Sequence, residues 1–292
     1  NRYGDKTILR INIPDLNSLD PAFSRSLDNV NVSKQLFNGL VELDEELNVV
    51  PSIAKSWEVL DSGTTYRFTL RNDVYFHANQ LFGKDSSRKV KASDVIYSFN
   101  RLIDTKLLSP GKWVMNRVVR NEEGKLKMKA VNDSLLEIHL TEAFPPFLGI
   151  LSMQYCSVVP PEAFENENFN FLDHPIGTGA FQFKYWKKSG KLILLKNPNY
   201  FKVDKEARRL PYVDALSINF IRDQEVVFLN FLKGKKKEDG TEIKDLEIPP
   251  APPTSEELPE FPSAKKATVK TEAPVVKKQD KKEIIENVED KA

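Results

Sequence analysis

A lone cysteine, three histidines and a Gly-Thr-Gly turn are the residues of this 292-residue chain whose types could do chemistry. Cys156 is the single cysteine, so no disulfide can form within the chain. Its neighbours Met153, Tyr155, Val158 and Val159 suit a small buried hydrophobe better than a nucleophile. His77, His139 and His174 stand far apart and none belongs to a ligand-spaced cluster, which argues against zinc. Gly177 and Gly179 flank Thr178 as a phosphate-binding loop would need, but no Gly-Lys-Ser/Thr follows, so a P-loop is rejected. No nucleophile–base pair or carboxylate dyad recurs at a suggestive spacing. These residues give no case for a catalytic cysteine, a zinc site or a phosphate-binding loop.

The elements that would carry a binding surface are legible from periodicity. Between Pro51 and His77, Trp57, Val59, Tyr66, Phe68, Leu70, Val74 and Phe76 fall on alternate positions, broken at Asp61-Ser62-Gly63. That pattern predicts a β-hairpin with one buried face, and Trp57, Tyr66, Phe68 and Leu70 are expected in one core cluster. Thr7–Ile13 reads as a short strand ended by Asn17-Ser18-Leu19-Asp20-Pro21, and Asn31–Gly39 as a helix closed by its glycine. Ser93 is the expected N-cap of a helix carrying Val95, Ile96, Phe99, Leu102 and Ile103. Val131–Leu140 reads as a strand, Phe144-Pro145-Pro146-Phe147 opens a helix, Ala215–Ile221 is a strand, and Asp223 opens a helix to Leu232.

Composition bounds the partners. Lys+Arg number 43 against 42 Asp+Glu, a net charge of +1, so no global electrostatic case exists for nucleic acid or a membrane surface. No apolar run approaches the ~20 residues that span a bilayer, and the start, Asn1-Arg2-Tyr3-Gly4, shows no signal-peptide pattern. Residues 235–292 are rich in Pro, Lys and Glu with Phe261 as their one aromatic, a composition expected to be disordered or polyproline-like.

The literal sequence adds a family. Pro51, Ala54, Ser56, Trp57, Glu58, Thr65, Tyr66, Phe68, Leu70, Arg71, Phe76 and His77 resemble the signature of the family 5 extracellular solute-binding proteins. These are the oligopeptide and dipeptide receptors of bacterial ABC importers. Ser18-Leu19-Asp20-Pro21, Leu36-Phe37-x-Gly39-Leu40-Val41, Asp94-Val95-x-Tyr97-Ser98-Phe99, Gly177-Thr178-Gly179 and Asn197-Pro198-x-Tyr200-Phe201 are similar to further motifs of that family, in order. The resemblance runs from Thr7 to Gly234.

It implies an α+β fold with mixed β-sheet lobes of the type II periplasmic-binding-protein kind. Residues 1–45 and 160–234 would form the first lobe, 46–159 an inserted subdomain, and 235–292 the tail. It implies an oligopeptide ligand facing Arg25, Ser26 and Leu27, with Tyr155 as a further cleft residue. Several relatives carry an acidic residue where Arg25 stands, so their preference for positively charged ligands does not carry over. The expected protein is a monomer without cofactor, working with an ABC-transporter permease or another cell-envelope protein, in the periplasm or lipid-anchored, with its export signal upstream. The rival reading is an interaction module whose tail, similar in composition to TonB-type periplasmic spacers, reaches an envelope partner.

Overall fold

Short apolar runs at every second position, separated by turns bearing Asp, Asn, Ser and Gly, make this chain a set of strands linked by brief helices. The computed structural model describes residues 6–229, apart from Ser189 and Gln224. The expected tail, 235–292, and the last part of the expected Asp223–Leu232 helix lie outside the described residues.

In chain order come β1 (Ile8–Ile13), α1 (Leu27–Leu36), β2 (Val41–Leu43), β3 (Val49–Pro51), β4 (Ala54–Leu60), β5 (Thr65–Leu70) and α2 (Ala92–Ile103). Then follow β6 (Met128–Asn132), β7 (Leu135–His139), α3 (Phe147–Leu151), α4 (Glu162–Glu165), β8 (Phe181–Lys187), β9 (Lys191–Lys196) and β10 (Ala215–Phe220). One four-stranded sheet has the order β1-β10-β9-β8, with β1 parallel to β10 and the other pairs antiparallel. A second, wholly antiparallel sheet has the order β4-β5-β7-β6, and β2 and β3 form a separate ribbon. The architecture is α+β with a mixed sheet, as expected.

The β4–β5 hairpin forms around Asp61–Gly63, where Asp61, Ser62 and Gly63 all take positive φ. Tyr66, Phe68 and Leu70 are buried, and Tyr66 meets Phe147 of α3 edge-on at 5.1 Å. Trp57, opposite Phe68 in the register, only packs against this core from its margin, and Val59 is exposed. β4 lies at the edge of its sheet, so its side chains have a strand on one side only.

Three boundaries differ from expectation. Helix α1 starts at Leu27, because the Ser26 hydroxyl accepts the Asn29 amide at 3.2 Å, and it ends at Leu36 rather than at Gly39. Gly39 serves a close approach instead: a Cβ there would sit 3.2 Å from the Cys156 carbonyl. Helix α2 is opened by Lys91 and not Ser93, with the Asp94 carboxylate accepting the Lys91 amide at 2.8 Å. Val131–Leu140 is not one strand, since Asn132 to Ser134 turn the chain between β6 and β7.

Candidate functional site

The loop between β1 and α1 is held from below by charge and from the side by hydroxyl groups. Asp20 is fully buried; its Oδ1 accepts the Ala22 amide at 3.0 Å and starts a 3-10 turn, Pro21–Phe23. Both of its oxygens also take the Arg101 guanidinium of α2, a fork-to-fork pair with Nη1 at 3.0 Å from Oδ1. The other face of that guanidinium lies 4.1 Å from the Phe164 ring centroid. Asn29 donates its side-chain amide to the Ser18 carbonyl at 2.7 Å, and the Ser24 and Ser33 hydroxyls bond at 2.7 Å. Ser109, from the segment after α2, donates to the Ala22 carbonyl at 2.7 Å.

On this fixed loop Arg25, Ser26 and Leu27 are exposed, Leu27 to 74%. Arg25 makes no ion pair among the described residues. Ser26 is committed to capping α1, its hydroxyl donating to Asn29 Oδ1 at 2.7 Å. Tyr155 is half-buried in the 3-10 turn Gln154–Cys156, which packs against Pro21–Phe23 and α1. Its ring packs against Gly111, where a Cβ would come within 2.4 Å of the Tyr155 Cγ and Cδ1. The structure therefore brings Tyr155 to the loop that carries Arg25–Leu27, although more than a hundred residues separate them in sequence.

Beside this turn opens a cavity of about 370 Å³ that the sequence did not suggest, lined among others by Lys34, Asn38, Glu42, Met153, Gln154 and Tyr200. Lys202 pairs with Glu42 across it. Burial pushes the Tyr200 phenol up to about 12, so it stays protonated and a hydrogen-bond donor. Asn38 and Tyr200 sit within or next to recognised motifs, and Lys34 follows Ser26 by two helical turns, so periodicity alone could have placed Lys34 on that side.

The Gly-Thr-Gly turn has a structural task. The Gly179 amide donates to the Leu36 carbonyl at 2.9 Å, closing the end of α1. A Cβ on Gly177 would lie 2.0 Å from the Leu36 oxygen, and one on Gly179 2.3 Å from the Gln35 oxygen, so only glycine fits. His77 clamps the same turn: its Nδ1 accepts the Gly177 amide at 3.2 Å and its Nε2 donates to the Gly179 carbonyl at 3.1 Å. Burial lowers its pKa to about 4, so the ring is neutral and its tautomer is set by these two bonds. Cys156 is buried, and that burial raises its thiol pKa well above the ordinary range, leaving it without thiolate character. Among the described residues no three His, Cys, Asp or Glu side chains gather as a metal site would require.

The mixed-sheet fold is that of the periplasmic binding proteins of type II. The Escherichia coli murein tripeptide binding protein MppA shares it, with a TM-score of 0.67 at 25% identity over 79% of this chain and 45% of that one. Residues 48–261 match the family described as "Bacterial extracellular solute-binding proteins, family 5 Middle", and the chain belongs to that family. The match passes Gly234, where the sequence motifs stop being recognisable. Among curated relatives, the protein named "Probable di/tripeptide-binding protein 5" of Pseudomonas aeruginosa is 32% identical over 225 residues, 72% of this chain and 40% of its own length. The periplasmic oligopeptide-binding protein OppA of Escherichia coli is 27% identical over 242 residues, 77% of this chain and 43% of its own. The chain thus spans about two fifths of the length of these relatives.

Proposed function

We propose that this chain is the peptide-binding component of an ABC-type importer, acting in the periplasm or anchored at the cell envelope, and that it carries no catalytic activity. Family membership supports the general reading, and the names of the relatives support a peptide as the ligand. The observation that carries it is the exposed Arg25–Leu27 stretch on a loop made rigid by the Asp20–Arg101 pair, with Tyr155 on its flank. The Arg25, Ser26 and Leu27 amides have no backbone acceptor among the described residues and can donate to the backbone carbonyls of an extended peptide, whereas the Ser26 carbonyl is taken by the Val30 amide at 2.9 Å. Recognition of that kind ignores most side-chain identity. The Arg25 guanidinium, without an ion pair among the described residues, gives the site a cation where a ligand carboxylate would be favoured.

Each four-stranded sheet lies on one side of a division into a first lobe, 1–45 with 160–234, and an inserted subdomain, 46–159, which supports that division, while the β2–β3 ribbon pairs across residue 45. A permease or another envelope protein is the partner this role requires, with the receptor monomeric.

The test is an NMR titration of the 292-residue chain with a mixed tri- to pentapeptide pool. Shifts confined to Arg25, Ser26, Leu27, Tyr155 and their contacts are expected, with Arg25→Glu weakening acidic peptides selectively. Shifts that leave these residues untouched at saturating peptide would overturn the assignment.

A further inference from the structure

A buried imidazole joins the segment after β5 to the end of α1 through a single turn. His77 uses both ring nitrogens and its backbone amide on that turn. Nδ1 accepts the Gly177 amide at 3.2 Å, Nε2 donates to the Gly179 carbonyl at 3.1 Å, and the His77 amide donates to the Gly177 carbonyl at 2.7 Å. The far side of the turn holds α1: the Gly179 amide donates to the Leu36 carbonyl at 2.9 Å, and the Thr178 hydroxyl donates to Asn38 Oδ1 at 3.1 Å. Asn38 in turn lines the cavity shared with Lys34 and Tyr200. His77, Gly177, Thr178, Gly179, Leu36 and Asn38 are all buried, so the arrangement does not depend on what lies over the surface.

Only the neutral ring fits this seat. A proton on Nδ1 sets a ring N–H against the Gly177 N–H, two donors face to face, and leaves an imidazolium without a counter-charge in a buried place. Burial holds the ring's pKa down to about 4, against an upward pull from the Gly179 carbonyl. Among the described residues, the titratable groups on the elements packed around the ring are Lys34 on the last turn of α1, Asp173 and His174 ahead of the turn, Lys196 and Tyr200 on either side of Asn197, and Arg88 beside Phe76. None of them bonds the imidazole, and Arg88 is engaged by Asp94 and Glu162.

Gly177, Thr178 and Gly179 have no apolar side chain beyond one methyl group. Besides His77, polar bonds hold them: those to Leu36 and Asn38, and the Asn197 side-chain amide donating to the Gly179 carbonyl at 2.9 Å. The β4-β5-β7-β6 sheet is instead closed by Phe68, Leu136 and Ile138, all fully buried. Segments with few apolar contacts open locally before the core does. We infer that His77 is a proton-controlled latch: the neutral imidazole holds the Gly-Thr-Gly turn against the end of α1, and protonation releases that turn, with Asn38 behind it, while both sheets stay folded. In the open form the ring is solvated and titrates near 6.5. The ratio of open to closed therefore rises about tenfold per pH unit as pH falls from 6.5 to 4, about 300-fold in all. The latch rests on the fold and stands or falls independently of peptide binding.

The test is amide hydrogen exchange of the full chain across that pH range, each rate divided by its intrinsic value to give an opening constant. The reporters are the Gly177 and Gly179 amides. The references are Leu70 and Leu140, whose amides donate to the Ser134 and Thr64 carbonyls at 2.7 Å. The turn amides are expected to open more readily than the references at every pH, with the tenfold-per-unit rise. In His77→Asn, whose Oδ1 stands in for Nδ1 without titrating, their opening constant should be flat with pH, whereas His139→Asn and His174→Asn should keep the rise. A flat profile in the unaltered chain, a rise that survives His77→Asn, or turn amides that exchange only as fast as Leu70 and Leu140 would overturn the latch. A second readout needs no variant: nitrogen NMR of the histidine rings should show His77 with its proton on Nε2 at pH 7 and a titration midpoint well below 6.5. A proton on Nδ1, or a midpoint near 6.5, would overturn it equally.

Discussion

His77 joins segments a hundred residues apart through two hydrogen bonds to the Gly177–Gly179 turn, and the one in which Nδ1 accepts the Gly177 amide requires the neutral ring. Its pKa lies near 4 in the folded protein against 6.5 when solvated. Between those values the unfolded chain binds a proton that the folded one refuses, so stability is complete above about pH 6.5 and is lost as pH falls towards 4. The linked loss amounts to roughly 3 kcal/mol. Denaturant melts from pH 7 to pH 4 should show it, and His77→Asn, which keeps a donor and an acceptor without titrating, should flatten that part of the profile. An unchanged profile in the variant would assign the pH dependence to other groups. Asp20 poses the complementary case of a fully buried carboxylate whose charge is met by Arg101. Arg101→Ala leaves that charge uncompensated and should cost about 3–5 kcal/mol, read as a fall in the denaturation midpoint. A loss below 1 kcal/mol would mean that water reaches Asp20.

Elements meet here through glycines and through buried aromatic side chains. Gly179→Ala drives a Cβ into the Gln35 carbonyl at the end of α1 and should cost about 3 kcal/mol. Gly149→Ala in α3 meets nothing within 4 Å and should stabilise by about 0.5–1 kcal/mol. If the two variants melt alike, the close packing of the Gly-Thr-Gly turn on α1 is wrong. In the β4–β5 hairpin, Phe68→Ala should cost about 3–5 kcal/mol as a fully buried ring. Trp57→Ala should cost less, because Trp57 stands at the margin of the core on an edge strand. A larger loss for Trp57 than for Phe68 would reverse this ranking.

At the scale of the whole molecule the decisive quantity is how much of a peptide the described body can take from water. The chain spans 43% of the length of the oligopeptide-binding relative, and Arg25–Leu27 lies exposed rather than in a closed cleft. A few backbone hydrogen bonds contribute roughly 0.5–1.5 kcal/mol each against an association cost of roughly 4–15 kcal/mol. Calorimetry of residues 1–292 with a tri- to pentapeptide pool should therefore show affinity of about a millimolar or weaker. Micromolar binding would show that these residues suffice as a receptor.

The hairpin, β1, α2 and β10 could be read from the sequence because alternation and helical spacing are local consequences of which side is buried. The family was equally legible in its literal motifs. The start of α1 at Leu27, the turn inside Val131–Leu140 and the exposure of Val59 could not be read, since each depends on a cap, a partner strand or a sheet edge that is remote or ambiguous in sequence. The same holds for the site. Arg25, Ser26, Leu27 and Tyr155 enter the proposed site only through what the family resemblance implies. The burial of Asp20 on Arg101, the packing of Tyr155 on Gly111 and the Lys34–Tyr200 cavity arise only when segments distant in sequence pack together. Side-chain periodicity reports a residue's own element, while burial and charge pairing belong to the contacts between elements, which a one-dimensional pattern does not contain.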